Sequence, residues 1–177
     1  MSFEFQPPLL ADSLVMLRPL QVSDFEALYA AASDPLLWAQ HPNPLRYQRE
    51  VFEVYFQGAM ASGGALLIQE AATGEVIGSS RYYDLDFPHQ VAIGYTFVRR
   101  DCWGRGHNHA AKRLMLAHAF RWVEQVIFHI GAQNIRSQVS IQRLGAILTG
   151  QESVSYYGEP PVLNHVYTIR RADWPVS

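Results

Sequence analysis

The sequence predicts one mixed α+β domain over residues 1–177, and three observations carry that expectation. Strand-like and helix-like stretches follow one another irregularly instead of alternating one for one. Apolar residues recur at every second position in some stretches and at three-to-four spacing in others. A chain of 177 residues can bury one full-sized core and is short for two. Apolar residues make up 49% and charged residues 17%, as in a lightly charged globular chain.

Residues 14–20 alternate apolar and polar and predict the first strand. Ser23-Asp-Phe-Glu26 has the form of a capping box, in which Ser23 and Glu26 bond each other's amides. Phe25, Leu28, Tyr29 and Ala32 then repeat at helical spacing until Asp34-Pro35 ends the helix. Residues 38–47, rich in proline and asparagine, predict a loop, and residues 49–60 a second helix closed by Ser62-Gly63-Gly64. Residues 65–71 and 76–85 form a hairpin about Thr73-Gly74, and a further strand runs over 91–98. Ala111, Leu114, Met115, Ala119 and Trp122 mark one stripe of a helix starting near Asn108, which Leu116 and Phe120 widen. Residues 126–130 read as a buried strand. Asn134 caps a helix running to about Leu144, with Gly145 as its stop. Strands over 147–157 and 162–170, separated by Gly158-Glu-Pro-Pro161, complete a set of about seven strands and about four helices.

The formal net charge of −2 gives no global attraction to nucleic acid or to a membrane surface, and neither partner is expected. The charge is uneven, however. Residues 99–143 carry eight cations against Asp101 and Glu124. Lys112, among them, is the only lysine in the chain. A single cysteine, Cys102, excludes an internal disulfide and fits a reducing compartment. The first residues lack a basic start followed by an apolar core, so a secretory leader is not expected. No apolar run approaches the roughly 20 residues of a membrane helix. A cytoplasmic location is the expectation.

The sharpest local feature is WGRGHNHAAK, residues 103–112. It lies where a strand ends and a long helix begins, and it surrenders side chains at Gly104 and Gly106. Free amides and the dipole at a helix N-terminus form an anion site, which glycines would open to phosphate oxygens and Arg105 would reinforce. The dinucleotide fingerprint fails at His109, and the spacing of a phosphate-binding P-loop is absent. By itself the segment fits a plain turn equally well.

Four stretches together change that balance: IGYTFV (93–98), WGRGHNHAAK, QNIRSQVSIQRLGA (133–146) and DWP (173–175). In this order and at these intervals the chain resembles the GNAT superfamily of acyl-CoA N-acyltransferases. It is similar within it to the branch of ribosomal-protein N-terminal acetyltransferases. The resemblance spans residues 14–175 and implies a mixed, mostly antiparallel sheet of about seven strands flanked by helices. It also implies acetyl-CoA as co-substrate, with its pyrophosphate on the loop of Trp103, Gly104, Arg105, Gly106, His107 and Asn108. Main chain near Phe97 and Val98 would pair with the pantetheine arm like an added strand. Asn134 and Ser137 match the family step beside pantetheine and the thioester, which makes them the catalytic candidates. Ala110 stands where relatives often carry Glu, so any role of that acid is missing. The resemblance leaves room for a homodimer.

The reaction so implied is direct transfer of an acetyl group to a primary amine in a ternary complex. It needs a held donor, a neutral amine, a polarised carbonyl and a proton for the leaving thiolate. The Val98 amide suits the carbonyl and Ser137 the departing sulfur. No residue stands out as general base; Asp84 and Asp86 could reach the cleft or serve as exposed turn acids. Trp38, His41, Tyr47, Tyr83 and Tyr156 could line the acceptor side, with Trp38, Tyr83 and Asp84 as the substrate candidates. Buried aromatics are the plainer reading of each ring. Cys102 reads as filler. His107 and His109 lack the further ligands zinc requires, and no metal is expected. The acceptor is a protein N-terminus or, alternatively, a small metabolite or antibiotic amine; a non-catalytic acyl-CoA-binding module is the other class left open.

Overall fold

The structure, a computed structural model, describes residues 2–155 and 158–175. Among the described residues, twelve strands and α-helices follow one another: β1 (Leu10–Ala11), β2 (Val15–Pro19), α1 (Phe25–Ala32), α2 (Arg49–Ser62), β3 (Ala65–Glu70), β4 (Val76–Asp86), β5 (Gln90–Val98), α3 (His107–Ala119), β6 (Gln125–Gly131), α4 (Ile135–Gln142), β7 (Ile147–Ser155) and β8 (Pro161–Arg170). The expected fold class holds. The eight strands form one sheet in the order β1-β2-β3-β4-β5-β6-β8-β7, antiparallel except where β5 meets β6. The additional strand is β1, two residues pairing with Met16 and Leu17, too short to show periodicity.

Alternation along β4 assigns the two faces of the sheet. Tyr82 faces α3 and donates its hydroxyl to the Met115 carbonyl at 2.7 Å. Arg81 faces α2, where its guanidinium lies 5.8 Å from the centre of the Tyr55 ring. The α3 stripe is therefore core: Ala111, Met115, Leu116 and Ala119 are all fully buried. Truncating Met115 or Leu116 to alanine would cost about 2–5 kcal/mol. On the opposite face α1 and α2 enclose an aromatic cluster of Trp38, Phe52, Tyr55 and Phe97.

The start of α1 departs from the expected capping box. Asp24, not Glu26, accepts the Gln21 amide at 2.8 Å, and Arg18 clamps the same carboxylate at 2.8 and 2.9 Å. Ser23 is exposed, and Glu26 instead pairs with Arg49 of α2. The carboxylate at Asp24 wins because Arg18 on β2 reaches it. The other caps behave as read: Gly63 closes α2 at φ 63°, Asn134 accepts the Ser137 amide at 3.3 Å, and Gly145 closes α4 at φ 96°. Residues 35–38, at the edge of the expected loop, form a short helical turn, which Asp34 caps through the Leu36 amide.

Two irregularities open the middle of the sheet. Between Ser79 and Arg81 of β4 two steps are matched by three on β5, from Phe97 to Gly94. The extra residue bulges at Tyr95, which takes a left-handed φ of 52°. The parallel pairing of β5 with β6 also ends early: it joins Gln90, Val91 and Ala92 to Gln125, Val126 and Ile127 and goes no further. Beyond Ala92 the strands part, and a gap appears at the centre of the sheet.

Candidate active site

The gap leads into a cleft of about 920 Å³ bordered by the end of β5, the glycine loop, α3 and α4. Its inner end is a cavity of about 90 Å³ between Gly94–Thr96 of β5 and Phe128–Gly131 of β6. His41, Thr96, Asn108, Asn134, Ser137 and Ser140 line both. The catalytic candidates Asn134 and Ser137 thus meet where the cleft narrows. Asn134 is buried with its Oδ1 committed to the α4 cap, whereas Ser137 is half-buried.

Main chain on the open edge of β5 follows from register. Arg99 donates its amide to the Ile77 carbonyl at 2.6 Å. By alternation the Val98 amide points the other way, into the gap. The Val98 carbonyl points there too, and Trp103 Nε1 caps it at 3.0 Å. Phe97 differs from expectation. Its register partner is Ser79, so its polar backbone atoms turn toward β4, and its ring is core. It borders the cleft without offering main-chain bonds.

Gly104 and Gly106 have φ of 71° and 89°, a region costly to any residue with a Cβ. That conformation alone accounts for both glycines. It also turns the chain so that α3 begins at once. The first helical bond runs from Ala110 to Gly106, which leaves the amides of His107, Asn108 and His109 without intrahelical partners. Asn108 and His109 line the cleft.

Two expected contacts with an anion turn away. The Arg105 side chain is 59% exposed and lies 3.8 Å from Glu70, outside the cleft lining. The His107 side chain is buried, with Nε2 3.3 Å from the same carboxylate. Glu70, at the end of β3, is therefore a clamp on the loop. Bonding to Thr73 first, and to His107 after it, holds its carboxyl below the ordinary range against the pull of burial. Only the backbone of His107 remains available to a ligand.

The cations that do line the cleft are Arg113, Arg136 and Arg143. Arg136 is held in place: its guanidinium lies 3.9 Å from the centre of the Trp103 ring and donates to the Leu37 carbonyl at 3.0 Å. In the sequence Arg136 is one of eight cations with no role of its own. The stack with Trp103 is the feature that selects it.

On the acceptor side, Trp38 is both core and wall. Its Nε1 donates to the Ala32 carbonyl at 2.8 Å while one edge borders the cleft. His41 lines cleft and cavity alike, and burial together with the charge of Arg46 holds its imidazole well below its ordinary pKa. Tyr47 packs with the α1–α2 cluster away from the cleft. Asp84 is exposed at an irregular point of β4 with φ 47° and does not line the cavity, and Asp86 is exposed as well. Tyr156 lies outside the described residues.

Tyr83 acquires a partner the sequence did not offer. Its hydroxyl lies 2.7 Å from His129 Nδ1, and His129 Nε2 lies 3.0 Å from Glu152. A carboxylate only accepts, so Nε2 carries the proton, Nδ1 accepts, and the Tyr83 hydroxyl donates. A Cβ on Gly94 would come within 3.0 Å of that hydroxyl, so glycine there makes room for the ring, which itself lies behind the cavity lining. His129 lines the cavity; Glu152 is 61% exposed, so the chain of groups leads to solvent.

Burial raises the Cys102 thiol above its usual range, which leaves little thiolate for a covalent step. Among the described residues no three His, Cys, Asp or Glu side chains gather as a metal site would require. Among them, too, no helix is long and apolar enough to cross a membrane.

A mixed sheet that opens at its centre over a glycine-bearing helix start defines an acyltransferase-like class of fold. The family comparison gives that class its identity: residues 15–147 match the acetyltransferase (GNAT) domain, and the chain belongs to that family. A T. thermophilus protein described as a putative acetyltransferase is similar at 25% identity, TM-score 0.76, covering 96% of this chain and 92% of that one. Mycobacterium smegmatis RimJ, solved with CoA-disulfide, shares the fold at 17% identity, TM-score 0.71, covering 97% and 90%. So does the microcin C7 self-immunity acetyltransferase MccE, solved with acetyl-CoA and AMP, at 13% identity, TM-score 0.72, covering 90% and 93%. No curated protein matches the chain.

Proposed function

We propose that this acetyltransferase moves an acetyl group from acetyl-CoA to a primary amine by direct attack in a ternary complex. One observation carries the reading: the unpaired amides opening α3 and the outward Val98 amide face a single cleft. A long ligand with phosphates at one end and a carbonyl at the other fits that arrangement. Two neighbours of the same fold hold CoA-disulfide and acetyl-CoA, in keeping with a CoA thioester as donor.

In this reading the α3 amides and Arg136 hold the diphosphate, and pantetheine runs along the open edge of β5. The Val98 amide polarises the thioester carbonyl. The amine nitrogen attacks the carbonyl carbon, the C–S bond breaks, and Ser137 donates toward the departing sulfur. The Tyr83 oxygen accepts the amine proton while passing its own to His129, and Glu152 balances the resulting imidazolium. Asn134 fixes the start of α4 and so the place of Ser137. Protein N-termini are the first acceptor class by family likeness, and small amines the second. A cytoplasmic setting suits the single unpaired cysteine.

Thiol release with acetyl-CoA and a panel of peptides and small amines tests the proposal. Release that depends on one class of amine, with an acetylated product by mass, is the expected result. Acetyl-CoA binding with no release for any amine would reduce the protein to a binding module.

A further inference from the structure

The inner cavity contains a charge that none of the described residues answers. Lys112, on the second turn of α3, lines it and is only 9% exposed. Among the described residues its ammonium meets only the Phe128 ring, whose centre lies 5.9 Å from Nζ. No hydrogen bond or ion pair to a described residue reaches it. The titratable side chains sharing the cavity with it are His41, Tyr95 and His129, beside the neutral Thr96, Asn108, Asn134, Ser137 and Ser140; none is a carboxylate. His129 is already engaged by Tyr83 and Glu152. Burial alone drives the Lys112 amine down to about 8, so at neutral pH it is still mostly an ammonium.

A buried cation without a counter-charge is strongly disfavoured, and an aliphatic side chain at this helix position would escape that cost. Its presence in a cavity open to a ligand cleft marks a place for an anion. The six residues common to cavity and cleft show which part of a ligand arrives there. The CoA phosphates belong at the start of α3, so the inner end receives the acyl group. Acetyl has no charge to offer. We infer that the cavity accepts an acyl group ending in a carboxylate, as in succinyl-CoA or malonyl-CoA, with the Lys112 ammonium as its counter-ion. The inference rests on the reading of the cleft as an acyl-CoA site. The transfer itself is unchanged: the N–C bond forms, the C–S bond breaks, the amine proton leaves through Tyr83, and the distal carboxylate takes no part.

The test is calorimetric titration of CoA, butyryl-CoA and succinyl-CoA into the wild type, Lys112→Met and Lys112→Arg. Butyryl matches the four carbons of succinyl without its charge. The wild type should prefer succinyl-CoA to butyryl-CoA by about tenfold or more. Lys112→Met should lose that preference while binding CoA as before, and Lys112→Arg should keep part of it. Thermal melts establish that the methionine variant is folded. No preference in the wild type, or one that survives Lys112→Met, overturns the inference while leaving the acyl-CoA site intact. Failure of every CoA compound to bind would instead remove the site reading beneath it. An effect of Lys112→Met confined to the KM of carboxylate-bearing amines would place the anion on the acceptor and overturn the donor assignment.

Discussion

Tyr83 and His129 stand 46 residues apart in the chain and 2.7 Å apart in space, joined phenol to imidazole, and His129 lines the inner cavity. If this pair removes the proton of the attacking amine, Tyr83→Phe and His129→Gln should each lower kcat by about 100-fold or more. Acetyl-CoA affinity should stay within about twofold, since neither group touches the diphosphate end of the ligand. In the wild type kcat/KM should rise with pH as the acceptor amine loses its proton. Steady-state rates across neutral to alkaline pH check this. Full activity in both variants would take the pair out of the mechanism.

Arg136 and Arg105 make a contrasting set. Arg136 lies on Trp103 and lines the cleft, whereas Arg105 turns to Glu70 outside it. Arg136→Ala should weaken CoA binding by about 1–2 kcal/mol, with the loss shrinking at high salt. Arg105→Ala should change affinity by less than about 0.5 kcal/mol, as exposed pairs do. Calorimetry at two ionic strengths measures both, and a larger loss from Arg105 would reverse the assignment.

The α3 stripe, the glycine loop and the Asn134 cap are legible in the sequence because each depends on neighbours within one or two helical turns. The Tyr83–His129–Glu152 chain is not. It exists only because β6 enters parallel to β5 and β8 inserts between β6 and β7, a strand order that no local pattern encodes. Phe97 escapes a sequence reading for a related reason, since which of two consecutive residues turns its backbone to the cleft depends on cross-strand register. Arg105 looks like the phosphate ligand by adjacency, and Glu70, far from it in the chain, draws it off. Lys112 is visible as the only lysine, but not as a buried one.

Lys112 also gives the free protein a pH signature. Its folded value of about 8 lies below the ordinary 10.5, so below pH 8 the folded state bears the cost of a buried charge. Between those two values the unfolded chain binds more protons than the folded one. Stability contributed by this residue should therefore rise with pH from about 8 to 10.5. Melting curves of wild type and Lys112→Met should accordingly converge as pH climbs through that window. A gap between them that is constant with pH would mean the amine is not desolvated.

The central claim is that acyl-CoA lies with its diphosphate on the first turn of α3 and its thioester carbonyl at Val98. Backbone amide NMR during titration with acetyl-CoA tests it most directly, because it reads the proposed contacts without altering a residue. The amides of His107, Asn108, His109 and Val98 should show the largest shifts, saturating together, while Phe97, bonded into β4, moves less. Saturable shifts that spare the α3 amides and Val98 would contradict the account, even in a protein that binds acetyl-CoA.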